Sequence, residues 1–282
     1  MNKIIIRKKI QEFLEEDCLF QDVSSEIIPE NKEIKAQIIA KSSGYVSGLK
    51  EIDILFEFLN VKITLFKKDG DKVVENDIIC VLSGNAHDIL FGERTSLNLL
   101  TRMSAITSST RDFVNITKKL NKYIKIACTR KTTPYFRIFE KRAVKLGGGE
   151  THRWNLDDMI LIKDTHLKYF SGDVKKILKK TRELASFSKK IEIEVENIEN
   201  ILIAARNGAD IIMLDNMKPA EIEEAIKSLE MEGLREKVLL EASGSINKEN
   251  IEEYVKTGVD IISLGSLTQF PHKQVDFSLK LI

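Results

Sequence analysis

Hydrophobic and polar positions change their rhythm about two-fifths of the way along this chain of 282 residues. Before that point helices and strands mix irregularly. Ile4–Glu16 spaces its apolar residues as a helix does, and Asp22-Val23-Ser24-Ser25 offers a cap for a following turn. Glu33–Ala40 alternates polar and apolar residues, the pattern of a half-buried strand, until Gly44 and Gly48 break it. Ile52–Leu59 is apolar at helical spacing. Val61–Phe66 and Ile78–Leu82 read as strands, with Asp69-Gly70 as a turn and Ser83-Gly84 as a stop. Gly92–Lys118 is a long helical pattern carrying Leu97, Leu100, Met103, Ile106 and Phe113. This first part is an α+β unit.

From Ile124 strand-like runs alternate with helical ones. The strands are Ile124–Ala127, Met159–Ile162, Ile191–Val195, Asp210–Leu214, Val238–Leu240 and Asp260–Leu264. Between them lie helical patterns at Phe136–Leu146, Val174–Ser186, Ile198–Asn207, Pro219–Met231 and Lys248–Lys256. Gly208 and Gly258 each follow a helix, as glycines past a helix end do. Repeated β-α units imply a parallel sheet, and this many suggest a barrel or partial barrel, with a doubly wound sheet as the alternative. Six strands are two short of a closed eight-fold barrel. Gly-Ala-Asp-Ile-Ile at 208–212 and Gly-Val-Asp-Ile-Ile at 258–262 hint at an internal repeat.

Composition narrows the function classes. Hydrophobic residues make up 43%, enough for a real core, and the net charge of +1 carries no basic block or acidic tail. Nucleic acid and anionic membrane are therefore weak expectations as partners. The three cysteines, Cys18, Cys80 and Cys128, are widely spaced and show no metal-binding pattern, which fits a reducing cytoplasm. The opening MNKIIIRKKI has too short an apolar run for a signal peptide, and no stretch is long enough to span a membrane.

Chemistry concentrates in Cys128–His166. Arg130-Lys131, glycines 147–149, His152-Arg153, Lys163 and His166 sit here, with the only tryptophan, Trp154. Such a cluster can be a solvated basic face. Here, however, the cations directly follow apolar strands and the glycine run, which suits an anion site better. In barrels the functional groups gather at the C-terminal ends of strands. Those ends are Thr129-Arg130-Lys131, Lys163, Glu194 with Glu196, Asp215-Asn216, Glu241-Ala242-Ser243-Gly244-Ser245 and Leu264-Gly265-Ser266. Glu194 and Asp215 lie one β-α-β unit apart, so both carboxylates reach the same rim. Oxygen-rich rims hold Mg2+ shared with a phosphorylated substrate; the competing reading pairs each carboxylate with Lys163 or Arg153. Ser243-Gly244-Ser245 and Gly265-Ser266 let backbone N–H groups close on a phosphate. Cys128 fits a small strand-end residue better than a nucleophile, since no histidine neighbours it in sequence. Together these groups suit a pyrophosphate-bearing sugar and a second anionic substrate.

At these residues the sequence resembles the quinolinate phosphoribosyltransferase family. The matching segments are Glu93-Arg94-Thr95-Ser96-Leu97-Asn98, Thr129-Arg130-Lys131-Thr132-Thr133-Pro134, Glu140-Lys141-Arg142-Ala143-Val144, Gly147-Gly148-Gly149 with His152-Arg153, and Leu161-Ile162-Lys163-Asp164 with His166. Ile193-Glu194-Val195-Glu196, Ile212-Met213-Leu214-Asp215-Asn216-Met217, Glu241-Ala242-Ser243-Gly244 and Thr257-Gly258-Val259-Asp260 follow in the family's order and spacing.

The resemblance implies an α/β fold: an N-terminal α/β sandwich, residues 1–115 joined by 270–282, and a C-terminal incomplete α/β barrel, residues 116–269, with seven strands. The seventh is expected in the final segment or in a loop. It implies a homodimer in which Arg94 is lent by the neighbouring subunit. It implies transfer of the ribosyl 5-phosphate of phosphoribosyl pyrophosphate to quinolinate, giving nicotinate mononucleotide, pyrophosphate and CO2, with Mg2+ on Glu194 and Asp215. Lys131, Lys163, Glu194 and Asp215 are then catalytic. Arg94, Thr129, Arg130, Lys131, His152, Arg153 and Lys163 take the anions, and Ser243, Gly244, Ser245, Leu264, Gly265 and Ser266 take phosphate. Thr151, Thr165, Ser245 and Gln269 depart from the family's usual Asn, Asn, Gly and His. They leave room for a paralogue acting on another anionic heterocycle such as nicotinate. A catalytically silent anion-binding regulator is a further alternative, against which the intact Glu194 and Asp215 argue.

Overall fold

The computed structural model describes residues 2–282. Two compact units emerge, one built from the chain up to Ser109 with Ile138–Gly147 and Pro271–Ile282, the other from Thr110–Arg137 and Gly148–Phe270. Among the described residues no helix is long and apolar enough to cross a membrane.

The first unit begins with α1 (Lys3–Asp17), capped where the Asn2 side chain accepts from the Ile4 N–H. Its buried Ile6, Ile10 and Leu14 recur every fourth residue, which puts them on one face. Then come β1 (Glu33–Ala40), β2 (Gly44–Tyr45), α2 (Leu49–Phe58), β3 (Lys62–Leu65), β4 (Lys72–Val73), β5 (Ile78–Asn85) and α3 (Ala86–Leu120). Ser83-Gly84 does not stop the third strand as expected. Lys35 and Ile34 of β1 pair with Ser83 and Gly84, so β5 runs on to Asn85.

After α3, β6 (Lys125–Ala127) leads to α4 (Arg137–Leu146), β7 (Ile160–Ile162), α5 (Asp164–Tyr169), α6 (Val174–Leu184), β8 (Ile191–Val195), α7 (Ile198–Arg206), β9 (Ile211–Asp215), α8 (Pro219–Met231), β10 (Leu239–Ser243), α9 (Ile251–Lys256), β11 (Ile261–Ser263) and α10 (Ser266–Gln269), all but α4 in the second unit. The chain closes with β12 (Phe277–Leu281). That last strand completes the first unit's antiparallel sheet, ordered β12-β1-β5-β3. The final segment is therefore a strand, but not the barrel's seventh.

The α4 segment from Ile138 also belongs to the first unit, although its place between two barrel strands assigns it to the barrel in the sequence reading. Its Glu-Lys-Arg run is structural. Arg102 of α3 donates twice to the buried Glu140, at 3.0 and 2.7 Å. Arg142 bridges the buried Glu51 at 2.9 Å and Asp69 at 2.6 Å.

The parallel sheet has six strands in the order β6-β11-β10-β9-β8-β7. Strands β7 to β11 follow one another without reversal, which is the winding of a barrel and excludes the doubly wound alternative. Beyond β6 a single residue extends the sheet: Glu150 pairs with Ala127, its N–H donating to Ile126 and its carbonyl accepting from Cys128. This bridge, in the loop after the glycine run, is the only further parallel pairing among the described residues.

The 208–212 and 258–262 repeat has a physical basis. Asp210 accepts the first N–H of β8, from Ile191, at 2.7 Å, and Asp260 accepts the Leu240 N–H of β10 at 2.7 Å. Arg182 grips Asp210 together with the Gly208 carbonyl, and Arg235 grips Asp260 together with the Gly258 carbonyl. Each unit thus locks the start of the preceding strand. Gly208 and Gly258 turn with φ of 82° and 89°, a region that favours glycine.

Candidate active site

Register decides which side chains meet. In-register residues of neighbouring strands point to the same face. Glu194 pairs with Met213 and Met213 with Glu241, while Asp215 pairs with Ser243 and Ser243 with Ser263. Glu192, Glu194, Asp215, Glu241, Ser243 and Ser263 therefore share one polar face. The opposite face carries Ile193, Ile212, Leu214, Leu240, Ala242 and Ile262, each fully buried. A parallel sheet covered on both sides normally reads apolar throughout, so these polar residues mark the functional side.

The acidic wall follows from this. Glu194, Glu196 and Asp215 line one cleft with Asp164 and Lys168. Lys163, the residue after β7, places Nζ 2.8 Å from Glu194 Oε1. Its N–H also donates to His166 Nδ1 at 2.9 Å, which folds the chain into α5. The rival pairing of Glu194 with Lys163 is thus present, and it engages one oxygen of that carboxylate. Asp215 Oδ2 accepts from the Asn216 side chain at 3.0 Å and has no ion pair among the described residues. Carboxylate oxygens lining a cleft suit Mg2+ in their chemistry.

The cationic side comes from the ends of β6 and the Glu150 bridge. Thr129 Oγ1 accepts from the Lys131 N–H at 3.1 Å, and Thr268 donates to the Lys131 carbonyl at 2.7 Å. The Lys131 stem crosses Gly265, where a Cβ would lie 2.9 Å from Lys131 Cδ. A larger residue at 265 would displace this flexible stem. Arg153 is buried, and burial, then the like charge of Arg130, press its guanidinium below its ordinary pKa. The Arg130 Nε is itself buried without a partner.

On the side expected to take phosphate, Gly244 turns at φ 97° against Asn216, whose backbone N–H donates to the Ser243 carbonyl at 2.9 Å. A Cβ on Gly244 would meet the Asn216 backbone nitrogen at 2.9 Å. Ser245 follows at φ 50°, in the left-handed region where the family's usual glycine is unstrained. Leu264 is buried, its N–H donating to the Ala127 carbonyl at 2.9 Å, so it offers backbone only. Gly265 caps the four-residue α10 with no side-chain hydrogen bond, leaving Ser266 at an open helix start.

Two features fall outside the expected arrangement. His152, read as a cation for substrate, directs Nε2 at two buried carboxylates, 3.1 Å from Glu192 Oε2 and 3.3 Å from Glu241 Oε2. Burial by itself would strip the ring of its proton. Both carboxylates oppose that and push its pKa up to about 10. Glu192 is also raised, by burial first. The Arg153 N–H donates to Nδ1 at 2.8 Å, a contact that favours a bare Nδ1. Glu192 is the residue that sequence reasoning missed; its signal was a glutamate two positions before Glu194 in a strand covered on both sides. The second feature is Arg94. It lies on α3 in the first unit, exposed, and forms no ion pair among the described residues. Cys128 is buried and its thiol reaches the Thr151 carbonyl, as a strand-end packing residue does.

Residues 22–104 match the N-terminal domain of quinolinate phosphoribosyl transferase, and residues 106–280 match its C-terminal domain. The chain belongs to this family. It is 41% identical over 273 residues to a probable nicotinate-nucleotide pyrophosphorylase [carboxylating] of Methanothermobacter thermautotrophicus, covering 96% of this chain and 97% of the relative. It is 36% identical to the nicotinate-nucleotide pyrophosphorylase [carboxylating] of Rattus norvegicus, covering 95% and 88%. The solved nicotinate-nucleotide pyrophosphorylase of Francisella tularensis superposes with a TM-score of 0.91 at 33% identity, covering 100% and 98%. A human nicotinic acid phosphoribosyltransferase shares the fold alone, at 11% identity and a TM-score of 0.61 over 100% of this chain and 74% of that one.

Proposed function

We propose that the protein transfers the 5-phosphoribosyl group of phosphoribosyl pyrophosphate to quinolinate with loss of CO2, giving nicotinate mononucleotide and pyrophosphate. The observation that carries this is the Arg130–Arg153 pair. Two like charges are held near one another, and a buried Nε has no partner. An anion relieves both costs, and a dianion relieves more than a monoanion does. The carboxylating name of the full-length relatives supports quinolinate over nicotinate.

In this reading Arg130, Arg153 and Lys163 neutralise the two carboxylates, with Arg94 supplied by a second subunit of a homodimer, while both ring nitrogens of His152 are engaged within the protein. Lys131, held across Gly265, meets the pyrophosphate. Thr129, Ser243, Gly244, Ser245, Gly265 and Ser266 offer hydroxyl and backbone donors to phosphate oxygens, while the Leu264 N–H is already given to Ala127. Glu194 and Asp215 would hold Mg2+, which when bound neutralises charge developing on the leaving pyrophosphate. The pyridine nitrogen of quinolinate forms the new bond to the anomeric carbon as the C–O bond to pyrophosphate breaks. Cations fixed before that step stabilise it without reorganising. Once the nitrogen is quaternary, the ring accepts the electron pair left when the adjacent carboxylate departs as CO2. A proton then fills that carbon. Free thiols at Cys18, Cys80 and Cys128 and the soluble anionic substrates suit a cytoplasmic setting.

The test is a parallel assay of phosphoribosyl pyrophosphate with quinolinate and with nicotinate. Nicotinate mononucleotide should form from quinolinate alone, and excess EDTA should stop it. Turnover with nicotinate instead would replace this reading by the paralogue, and full activity in EDTA would remove the metal from it.

A further inference from the structure

Glu192 and Glu241 have no part in the reaction just described. Both are fully buried, on strands β8 and β10 with β9 between them. None of their four carboxylate oxygens makes a hydrogen bond of normal geometry. Two apolar side chains would pack there at lower cost, because burying charge is repaid only with good partners. Folding alone does not call for this pair.

What the pair faces is one ring. The His152 Nε2 sits 3.1 and 3.3 Å from an oxygen of each carboxylate, and its Nδ1 accepts the Arg153 N–H at 2.8 Å. His152 itself holds φ at 50°, a left-handed conformation that costs a side-chain-bearing residue. Strain of this kind persists where the surroundings enforce it. The ring is gripped on one edge by the carboxylates, and on the other it meets the amide of the residue that follows. That residue is Arg153.

We propose that Glu192 and Glu241 are positioning residues: through the His152 ring they hold the left-handed turn that aims Arg153 at the anionic substrate. The inference rests on the reading of Arg153 as a quinolinate ligand. The contacts of 3.1 and 3.3 Å from Nε2 to the two carboxylates are what tie the ring in place.

Two measurements test this. In substrate-free protein carrying histidine labelled with nitrogen-15, the His152 signals, assigned by their loss in His152→Asn, should show a single form with a proton on Nε2 and no exchange between tautomers. The double variant Glu192→Gln, Glu241→Gln should release the ring into exchanging tautomers. In kinetics, Glu192→Gln and Glu241→Gln should each raise the quinolinate KM by about 10-fold or more and leave that for phosphoribosyl pyrophosphate within about 2-fold. In a His152→Asn background Glu241→Gln should add less than about 2-fold, since the path to Arg153 is already cut. Lost thermal stability with an unchanged ratio of the two KM values would reduce the pair to a structural role and overturn the proposal. A mixed-tautomer ring in the parent protein would also overturn it. So would one equivalent of tightly bound metal that the glutamine variants lose, because the three ligand atoms lie within 4.8 Å of one another, as they would around an ion. If the parent protein makes no nicotinate mononucleotide the functional reading fails, and the ring measurement still decides whether the carboxylates hold His152.

Discussion

Arg153 concentrates the site's electrostatics. It is buried, it lies near another guanidinium, and its strained neighbour His152 fixes its backbone. Arg153→Ala is expected to weaken quinolinate binding by about 2–5 kcal/mol, the range for losing a buried charge-assisted pair. Phosphoribosyl pyrophosphate should be affected far less, and a titration giving equal losses for both would reject Arg153 as a carboxylate ligand. Ser245 is the opposite case, a position where this chain has a less suitable residue. Its φ of 50° suits glycine, so Ser245→Gly is expected to raise the unfolding free energy by about 1 kcal/mol in urea titrations. A loss of stability would show that the serine hydroxyl has a role within the fold.

Elements of this chain were legible where a single physical cause sets the pattern. The β-α rhythm from Ile124 arises because each strand is buried on both faces and each helix on one, and five helices and six strands follow it with boundary shifts of a few residues. Glu194 and Asp215 were readable from the same rhythm, since β-α spacing places strand ends on one rim. Register was not readable. Only pairing shows that Glu192 and Glu194 share a face with Asp215 and Glu241, or that Glu241 points inward in mid-strand rather than at the rim. Two-residue strands such as β2 and β4, and the six-residue α5, are too short to carry a period. The α4 segment misled for another reason: sequence order put it in the barrel, while its ion pairs tie it to α2 and α3. Those pairs make a pH prediction. Burial raises the Glu51 pKa to about 7 despite Arg142, from 4.5 in the unfolded chain. The folded state then binds more protons in that window, so stability is greatest below it and falls as pH rises through it. Glu51→Gln, which keeps an acceptor for Arg142, should flatten the fall, whose upper bound is about 3 kcal/mol at 1.36 kcal/mol per unit. An unchanged pH profile of unfolding free energy would contradict this.

At the scale of the whole molecule, Arg94 sets a test of assembly. It is exposed on α3 in the first unit, and the proposal gives it to the site of a second subunit. Arg94→Ala and Lys131→Ala homodimers should then both be nearly inactive. Subunit exchange between them should restore activity to about a quarter of the parent level, because half the dimers are mixed and each has one intact site of two. No recovery, with mixed dimers shown to be present, would place Arg94 within its own chain's chemistry or outside it. The account as a whole stands on transfer coupled to decarboxylation, and one measurement reaches it directly. Quinolinate carrying labelled carbon in its 2-carboxylate is incubated with the protein, Mg2+ and phosphoribosyl pyrophosphate, and labelled CO2 and pyrophosphate are counted together. The account predicts one CO2 for each pyrophosphate, with nicotinate mononucleotide in equal amount. Pyrophosphate released with the label still on the nucleotide, or no release of either, would contradict it.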